Sequence, residues 1–485
     1  MKKKYGLFKI LTVMLLLIVV ATYFIKGRED TIQYLALVDV ILNYIQSFYY
    51  FFDTAIFILV AGGFYGFLNR VPAYKKLVKN IANKVSGKSK VFIVVTTIIF
   101  ALLASLTGFN LLLLLFIPFV ISVILLLGYD KLVAISATIG GSITGLIGGI
   151  FLTIKDSASY YEVSYITIDK LVGLETNWGN LFPKILLLVV TTGLLIFYII
   201  SHIKKVENKT ASYKLTKSDN LFVEVKDRKG KVIEVDDSKT RVWPLIIIMS
   251  ILLIILVLGY FPWNSLFKIE IFNEFHSWMM GLKIGEYAVF TSLITSTITS
   301  FGTWGSLGNY MVAIVVLIIL MLITMLIYRI KFEDAMDGFI YGVKKMIPAA
   351  MISMLAFCVL VSCYNNGFFE NIIKASSKEF GDNAVIHSLL TGIGSILHVD
   401  FYYTATAIFT PIANSLTETA NLSIYAVMFQ SIYGLVQLVG PTSILLIIGL
   451  TYLDVPYKTW LKYIWRFIVE LIIVILLVLM VVSLL

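Results

Sequence analysis

The sequence predicts an all-α polytopic membrane protein with about nine transmembrane helices, two re-entrant hairpins and two inverted repeats. Hydrophobic residues make up 59% of the chain and charged residues only 14%, whereas a soluble domain carries about a quarter charged residues. Mean hydropathy is +0.92. The apolar residues also stand in blocks of roughly 18 to 22, which is the length that crosses a bilayer core.

The net charge of +10 does not indicate a nucleic-acid partner, because the Lys and Arg residues lie in short segments between apolar blocks. If 91–127 and 383–414 are re-entrant hairpins, nine spans remain. Of the 39 Lys and Arg residues, 30 then lie on the side of the N-terminus and 9 on the other side. This distribution obeys the positive-inside rule. It predicts a multi-pass protein of the bacterial inner membrane, embedded in the lipid bilayer, with a cytoplasmic N-terminus.

The first repeat is predicted to occupy 1–203. Its elements in order are a span at 7–25, a short helix at 34–45, a span at 47–68, an amphipathic helix at 72–85, hairpin arms at 91–107 and 111–127, an interrupted span at 132–153 and a span at 181–202. The apolar residues of 72–85 recur at helical spacing, which predicts a helix in the membrane interface.

Two segments separate the repeats. The polar insert 204–241 alternates apolar and polar residues on both sides of 227–230, which predicts a small cytoplasmic β-hairpin. The segment 242–305 contains a linking span at 243–261 and an extracellular part. Because this span adds one crossing, the second repeat begins on the opposite side of the membrane from the first.

The second repeat is predicted to occupy 306–485. Its elements are a span at 309–330, an amphipathic helix at 332–344, a span at 346–363, a short helix at 368–380, hairpin arms at 383–397 and 401–414, an interrupted span at 424–452 and a span at 467–485. Because the two repeats have the same order of elements but begin on opposite sides of the membrane, the sequence predicts that they are inverted repeats. Inverted repeats with interrupted helices are typical of secondary transporters working by alternating access.

Helix breaks at membrane depth are the candidate sites, since backbone there must be hydrogen-bonded or line a cavity. Four breaks are predicted, at the hairpin tips 105–110 and 398–404 and within the interrupted spans at 140–145 and 440–443. Half-helix N-termini attract anions and freed carbonyls attract cations. The alternative is that these small residues only allow close helix packing. The candidate substrate or ion ligands are Ser105, Thr107, Asn110, Gly141, Ser142, Thr144, His398, Asp400, Gln437, Pro441, Thr442 and Ser443.

The ionisable residues within the apolar blocks bear on substrate charge. Asp400 lies at a hairpin tip, while Asp53 lies near one end of its span and could instead reach the outer interface. A buried carboxylate can hold an ammonium group, a proton or Na⁺. Because no Lys or Arg lies at the predicted breaks, the sequence favours an amino acid, a basic one included, over a dicarboxylate. No cofactor or metal is predicted, and the coupling ion, Na⁺ or H⁺, stays open.

The main alternatives from another functional class are a membrane-embedded enzyme and a non-transporting scaffold. The sequence lacks HExxH and the GxGD of intramembrane aspartyl proteases, although Tyr129-Asp130 echoes half of such a site. Gly141-Ser142 weakly echoes an intramembrane serine protease, but such pairs are common in membrane helices. No catalytic residue is therefore predicted.

Several strings resemble the YfcC-like family, which is related to the anaerobic four-carbon dicarboxylate carriers of the ion transporter superfamily. They are 61–70, Gly128-Tyr129-Asp130, and Pro441-Thr442-Ser443 followed by 455–462. The resemblance implies two hairpins, two broken helices, a homodimer, and transport of organic anions or amino acids. Some relatives are proposed to be basic amino-acid antiporters. The sequence departs from the family pattern at both hairpin tips and at the first broken helix.

Overall fold

A computed structural model describes residues 6–25, 34–108, 111–155, 165–174, 178–208, 225–226, 232–233, 240–261, 263, 267–290, 310–381, 383–398, 400–416 and 422–483. Most of these residues lie in helices, which confirms the all-α fold class. The strands form three separate two-stranded antiparallel pairs.

The first half contains nine helices among its described residues. They are α1 (Gly6–Ile25), α2 (Leu37–Tyr50), α3 (Phe52–Leu68), α4 (Pro72–Val85), α5 (Ser89–Thr107), α6 (Ile117–Leu126), α7 (Lys131–Ile147), α8 (Ile168–Leu171) and α9 (Trp178–Glu207). Short 3₁₀ turns precede α5 and α6 at Ser86–Lys88 and Leu111–Leu115. Strands β1 (Thr153–Lys155) and β2 (Tyr165–Thr167) pair between α7 and α8.

The segments between the halves follow the prediction where they are described. Strands β3 (Val225–Lys226) and β4 (Val232–Ile233) form the expected hairpin of the insert, and the rest of that hairpin lies outside the described residues. The linking span is α10 (Trp243–Tyr260). It is followed by α11 (Ile271–Gly281) and by the pair β5 (Lys283–Ile284) and β6 (Tyr287–Ala288).

The second half contains eight helices among its described residues. They are α12 (Tyr310–Tyr328), α13 (Phe332–Asn365), α14 (Phe368–Phe380), α15 (Ala384–Leu397), α16 (401–415), α17 (Leu422–Gln437), α18 (Ile444–Tyr452) and α19 (Tyr457–Ser483). Two helices contain one turn of π-helix, at Ser136–Gly140 in α7 and at Ala405–Phe409 in α16.

Within the described residues, five helices are long and apolar enough to cross a membrane, or six if α2 and α3, bent by 66°, count as one span. One of the five is the continuous stretch Pro72–Thr107, which combines α4 with the first arm of the predicted hairpin. The other predicted spans are the shorter apolar helices α7, α10, α12 and α17. Helices α7 and α17 are shorter than a full span because each ends at a break.

Helices α3 and α13 pack closely against each other. A Cβ atom on Gly342 would lie 2.0 Å from the Gly62 carbonyl oxygen, and one on Gly66 would lie 2.3 Å from the Gly338 carbonyl oxygen. Only glycine allows backbones to approach so closely, as in small-residue motifs of membrane helices. The glycines of the 61–70 string therefore serve helix packing.

Two predicted boundaries were wrong. The expected amphipathic helix 332–344 and span 346–363 are one helix, α13, which continues through Pro348. Proline is tolerated in membrane helices, where neighbouring groups satisfy the freed carbonyl. The expected interruption at 140–145 is also absent, because α7 is helical through Gly140 and Gly141. Its chain breaks after Ile147 instead.

The two halves pack in matching pairs. Helix α1 packs on α13, and α12 packs on α3. Likewise, α5 packs on α7 in the first half, while α15 packs on α17 in the second. The final helices α9 and α19 pack on each other, and so do α7 and α17. This arrangement brings the broken spans α7 and α17 of the two halves into contact.

Candidate functional site

The first helix break follows α7, at residues 148–152, and Ser105 of α5 organises it. The Ser105 hydroxyl donates to the Gly148 carbonyl at 2.8 Å and accepts from the Ile150 N–H at 3.1 Å. The Ser105 carbonyl also accepts from the Phe151 N–H at 3.1 Å. One fully buried residue therefore satisfies three backbone groups of this break.

The predicted ligands on α7 serve packing and the helix itself. A Cβ on Gly141 would lie 3.0 Å from the Thr97 carbonyl oxygen of α5. The hydroxyls of Ser142 and Thr144 donate to the carbonyls of Thr138 and Gly141 in their own helix, and both side chains are completely buried. The structure therefore places these three residues on a packed helix before the break.

The second break, at 438–443, lies between α17 and α18, as predicted. Two aromatic residues at the start of α19 satisfy the carbonyls at the end of α17. The Trp460 indole N–H donates to the Leu438 carbonyl at 2.8 Å, and the Tyr457 hydroxyl donates to the Val439 carbonyl. The helix can end here because these donors replace the missing backbone N–H groups. Pro441 stands within this break.

The N-terminus of α18 has free hydrogen-bonding capacity. Ser443 is its N-cap residue, but its side chain makes no capping bond. Ser443 Oγ and the Gln437 Nε2 group are buried, and neither has a hydrogen-bond partner among the described residues. An uncapped helix N-terminus beside unpaired donors favours an anionic group such as a carboxylate.

The second hairpin tip lies against this break. The Thr442 hydroxyl donates to the Ile396 carbonyl near the end of α15, at 2.7 Å. His398 follows α15 directly; its side chain is 1% exposed, and both ring nitrogens lack a partner within the described part of the chain. Asp400 caps α16, because its carboxylate accepts from the backbone N–H groups of Tyr402 and Tyr403.

Direct contacts join the two broken spans. The Gln430 amide of α17 donates to the Ile147 carbonyl at 3.3 Å, at the end of α7. Tyr433, one turn further along α17, packs with Leu152 of the first break and with Phe401 of the second hairpin. The predicted face of α17 that carries Gln430, Tyr433 and Gln437 therefore runs from one break to the other.

Asp53 and Asp400 approach each other from different halves. Asp53 lies in the first turn of α3, after the bend at Phe51, and both carboxylates are half-buried. The Asp53 charge acts on Asp400. Phe51 and Tyr403 are also neighbours, with ring centroids 6.0 Å apart. Asp53 thus lies in the region of the second hairpin tip.

The structure brings some predicted ligands together and separates others. Those at or beside a break are Ser105, His398, Asp400, Gln437, Pro441, Thr442 and Ser443. Thr107, at the end of α5, donates to Leu103 in its own helix, and Asn110 lies outside the described residues. The part of the chain that the structure describes contains no group of three or more His, Cys, Asp or Glu side chains that could hold a metal ion.

Sequence reasoning missed the roles of Tyr457 and Trp460. They were noticed only as part of the 455–462 string. Their position just after a broken span, where helix carbonyls need donors, is the signal that could have identified them.

A family model described as C4-dicarboxylate anaerobic carrier (DcuC) matches residues 9–483. No curated protein and no solved structure matches the chain. Because the family match covers nearly the whole sequence, the chain belongs to this family of carriers. It is a multi-pass membrane transport protein and not an enzyme, as predicted. The family description favours dicarboxylate transport, which the sequence analysis held as the alternative to amino-acid transport.

Proposed function

We propose that this C4-dicarboxylate carrier family member transports small dicarboxylates as a secondary active transporter. The substrate binds between the second hairpin tip and the second helix break. The observation that carries this proposal is the uncapped N-terminus of α18, with unpaired donors on Ser443 and Gln437. His398, two residues beyond the Ile396 carbonyl that Thr442 contacts, adds a third group that can donate to a carboxylate.

The proposed mechanism is alternating access between two inverted repeats, 1–203 and 306–485. The matching pairs of helix contacts in the two halves support this proposal. In particular, α7 and α17 meet at their breaks, so a movement that opens one side of the contact can close the other. We propose an inner-membrane location with a cytoplasmic N-terminus and insert 204–241, on the evidence of the Lys and Arg distribution, and a homodimer.

Uptake into proteoliposomes tests the substrate class. Purified protein is reconstituted, and uptake of labelled succinate, fumarate and malate is compared with uptake of arginine, ornithine and glutamate, under separate Na⁺ and pH gradients. We expect saturable dicarboxylate uptake that unlabelled succinate inhibits. Uptake of amino acids alone, with no dicarboxylate uptake or exchange, would reject the proposal.

Amino-acid transport remains the second candidate, and the Asp53–Asp400 approach is the observation that favours it. Two carboxylates at one hairpin tip attract an ammonium group and repel a dianion. A bound cation, either H⁺ or Na⁺, would cancel this repulsion and make the same tip compatible with a dicarboxylate. The substrate screen therefore includes both gradients for every compound.

A further inference from the structure

A buried His–Asp pair lies at the opposite end of α7 from the first break. His202 Nε2 of α9 lies 3.0 Å from Asp130 Oδ2, and the two side chains are 9% and 7% exposed. The other Asp130 oxygen, Oδ1, accepts from the Val133 N–H at 2.8 Å and so caps α7. Asp130 therefore ties the start of the first broken span to α9. Neither the substrate site nor the helix breaks use this pair.

Polar groups from the neighbouring helices extend the pair. The His202 ring packs edge-on against Tyr463 of α19, with centroids 4.8 Å apart. The Tyr463 hydroxyl lies 3.1 Å from the Ser136 hydroxyl, at the start of the π-helical turn of α7. Tyr198 of α9 donates to the Tyr463 carbonyl.

Other titratable groups surround this end of the bundle. Tyr129, next to Asp130, bonds Ser89 of α5 at 2.7 Å. Lys131 begins α7 and is buried. Lys90 and Glu207 form an exposed ion pair at 2.9 Å. Within the described part of the chain, His202 supplies the imidazole that faces Asp130.

We propose that the Asp130–His202 pair is a proton-binding site whose loading is coupled to transport. In the unloaded form, neutral His202 donates its Nε2–H to the Asp130 carboxylate. A proton from water then binds the basic Nδ1 nitrogen and gives an imidazolium paired with the carboxylate; unloading returns that proton to water. The coupling, though not the proton site itself, rests on the proposed carrier function.

Helix α7 provides the physical link from this pair to the substrate region. It runs from Asp130 to Ile147, about 25 Å at 1.5 Å per residue, and its far end accepts the bond from Gln430. A charge-assisted bond is roughly twice as strong as a neutral one. Proton binding therefore tightens the hold of α9 on the start of α7 and favours one arrangement of the two broken spans over the other.

Two variants remove titration but keep the local structure. Asp130→Asn retains a good N-cap oxygen for α7, and His202→Gln retains a side-chain N–H that can reach Asp130. Glu207→Gln, which breaks the nearby exposed ion pair, is the matched control. The chain contains four His residues, so ¹⁵N-His NMR of the whole protein in detergent can follow each imidazole. We expect the imidazole signal that vanishes in His202→Gln to change with pH in the unmodified protein.

Transport is then measured in proteoliposomes in two modes. We expect Asp130→Asn and His202→Gln to lose at least tenfold of pH-gradient-driven accumulation and the substrate-induced proton flux seen with an internal pH dye. Counterflow exchange should persist, since it needs no net proton movement. Glu207→Gln should match the unmodified protein in both modes.

If His202 keeps one protonation state from pH 5 to 8, or if both variants still couple proton flux to substrate, the inference is overturned. Absence of dicarboxylate exchange with a titrating His202 would instead reject the proposed substrate class and leave the proton site standing.

Discussion

The Ser105 hydroxyl donates to the Gly148 carbonyl at 2.8 Å and thereby joins the end of a hairpin helix to the end of a broken span. In the second half, Thr442 makes the corresponding link to Ile396. The two links differ in direction: the hairpin supplies the hydroxyl in the first half, and the broken span supplies it in the second. In both halves, a predicted hairpin arm and a broken span share one side-chain hydrogen bond.

Replacing Ser105 with Ala should destabilise the first break. The change leaves the Gly148 carbonyl and the Ile150 N–H without their buried partner, at a cost of about 1–3 kcal/mol for each unsatisfied group. We expect a lower thermal unfolding midpoint in detergent and loss of transport. Ser395→Ala is the matched control, because that buried hydroxyl donates to the Thr391 carbonyl within its own helix. Equal effects of the two changes would contradict the role assigned to Ser105.

Trp460→Phe should weaken the second break in a similar way. The change keeps a large buried aromatic ring but removes the N–H that donates to the Leu438 carbonyl. The expected loss of unfolding free energy is about 1–3 kcal/mol, measured as a shift in the thermal unfolding midpoint. Trp465→Phe is the control, since the Trp465 side chain is 55% exposed. A Trp460 variant as stable as this control would show that the carbonyl needs no donor.

Sequence patterns located whole elements well. The amphipathic spacing of 72–85 predicted the bounds of α4, and the apolar block at 243–261 predicted α10 to within one residue at its C-terminal end. Such periodicity reflects which faces of a helix are buried, and that depends on residues close in sequence.

Breaks were harder to predict than elements, because their position depends on distant partners. Gly140 and Gly141 were expected to interrupt α7, but they remain helical, and Gly141 packs against α5. The boundary expected between 332–344 and 346–363 is likewise absent, since α13 continues through Pro348. The actual break after Ile147 is stabilised by Ser105, 43 residues away in sequence. Asp130, noted as an echo of a protease motif and as part of the Gly128-Tyr129-Asp130 string, could have been recognised as a helix N-cap from its place before an apolar run.

Substituting Gly342 with Ala should separate α3 from α13. The added Cβ would lie 2.0 Å from the Gly62 carbonyl oxygen, a contact with backbone that cannot rotate away. Overpacking of this kind costs about 1–3 kcal/mol, so a lower unfolding midpoint and less folded protein on size-exclusion chromatography are expected. Gly193→Ala in α9 is the control, because nothing lies within 4 Å of its Cβ position.

The substrate-binding proposal predicts that Ser443→Ala and Gln437→Leu raise the KM for succinate. Each change removes one donor beside the N-terminus of α18, worth about 1.5–3 kcal/mol when it bonds a charged carboxylate. Since 1.4 kcal/mol corresponds to tenfold in affinity, a rise of about tenfold or more is expected. Ser431→Ala, whose buried hydroxyl bonds Met428 in the same helix, should leave KM unchanged. A uniform fall in the maximal rate, with KM constant, would count against direct contact with substrate.

Asp400→Asn distinguishes the two substrate classes by the sign of its effect. Asparagine keeps an oxygen that can cap α16, as Asp400 does, but removes one of the two charges at this tip. A unit charge about 8 Å from another contributes roughly 2 kcal/mol at an effective dielectric near 20. For a dicarboxylate bound without a neutralising cation, loss of this repulsion should lower KM by about 30-fold. If H⁺ or Na⁺ neutralises the pair, ion dependence should weaken instead. For an amino acid, loss of the ammonium partner should raise KM.

These three outcomes are distinguished by measuring the uptake kinetics of succinate and of ornithine, each with and without Na⁺ at pH 6 and pH 8. The Asp53→Asn variant is measured in parallel. Because Asp53 acts on Asp400 through charge, both changes should shift KM in the same direction, and the shift in the double variant should differ from the sum of the two. Opposite directions for the two residues, or full additivity, would show that the carboxylates act separately. A succinate KM and ion dependence unchanged in both variants would place the dicarboxylate away from this hairpin tip.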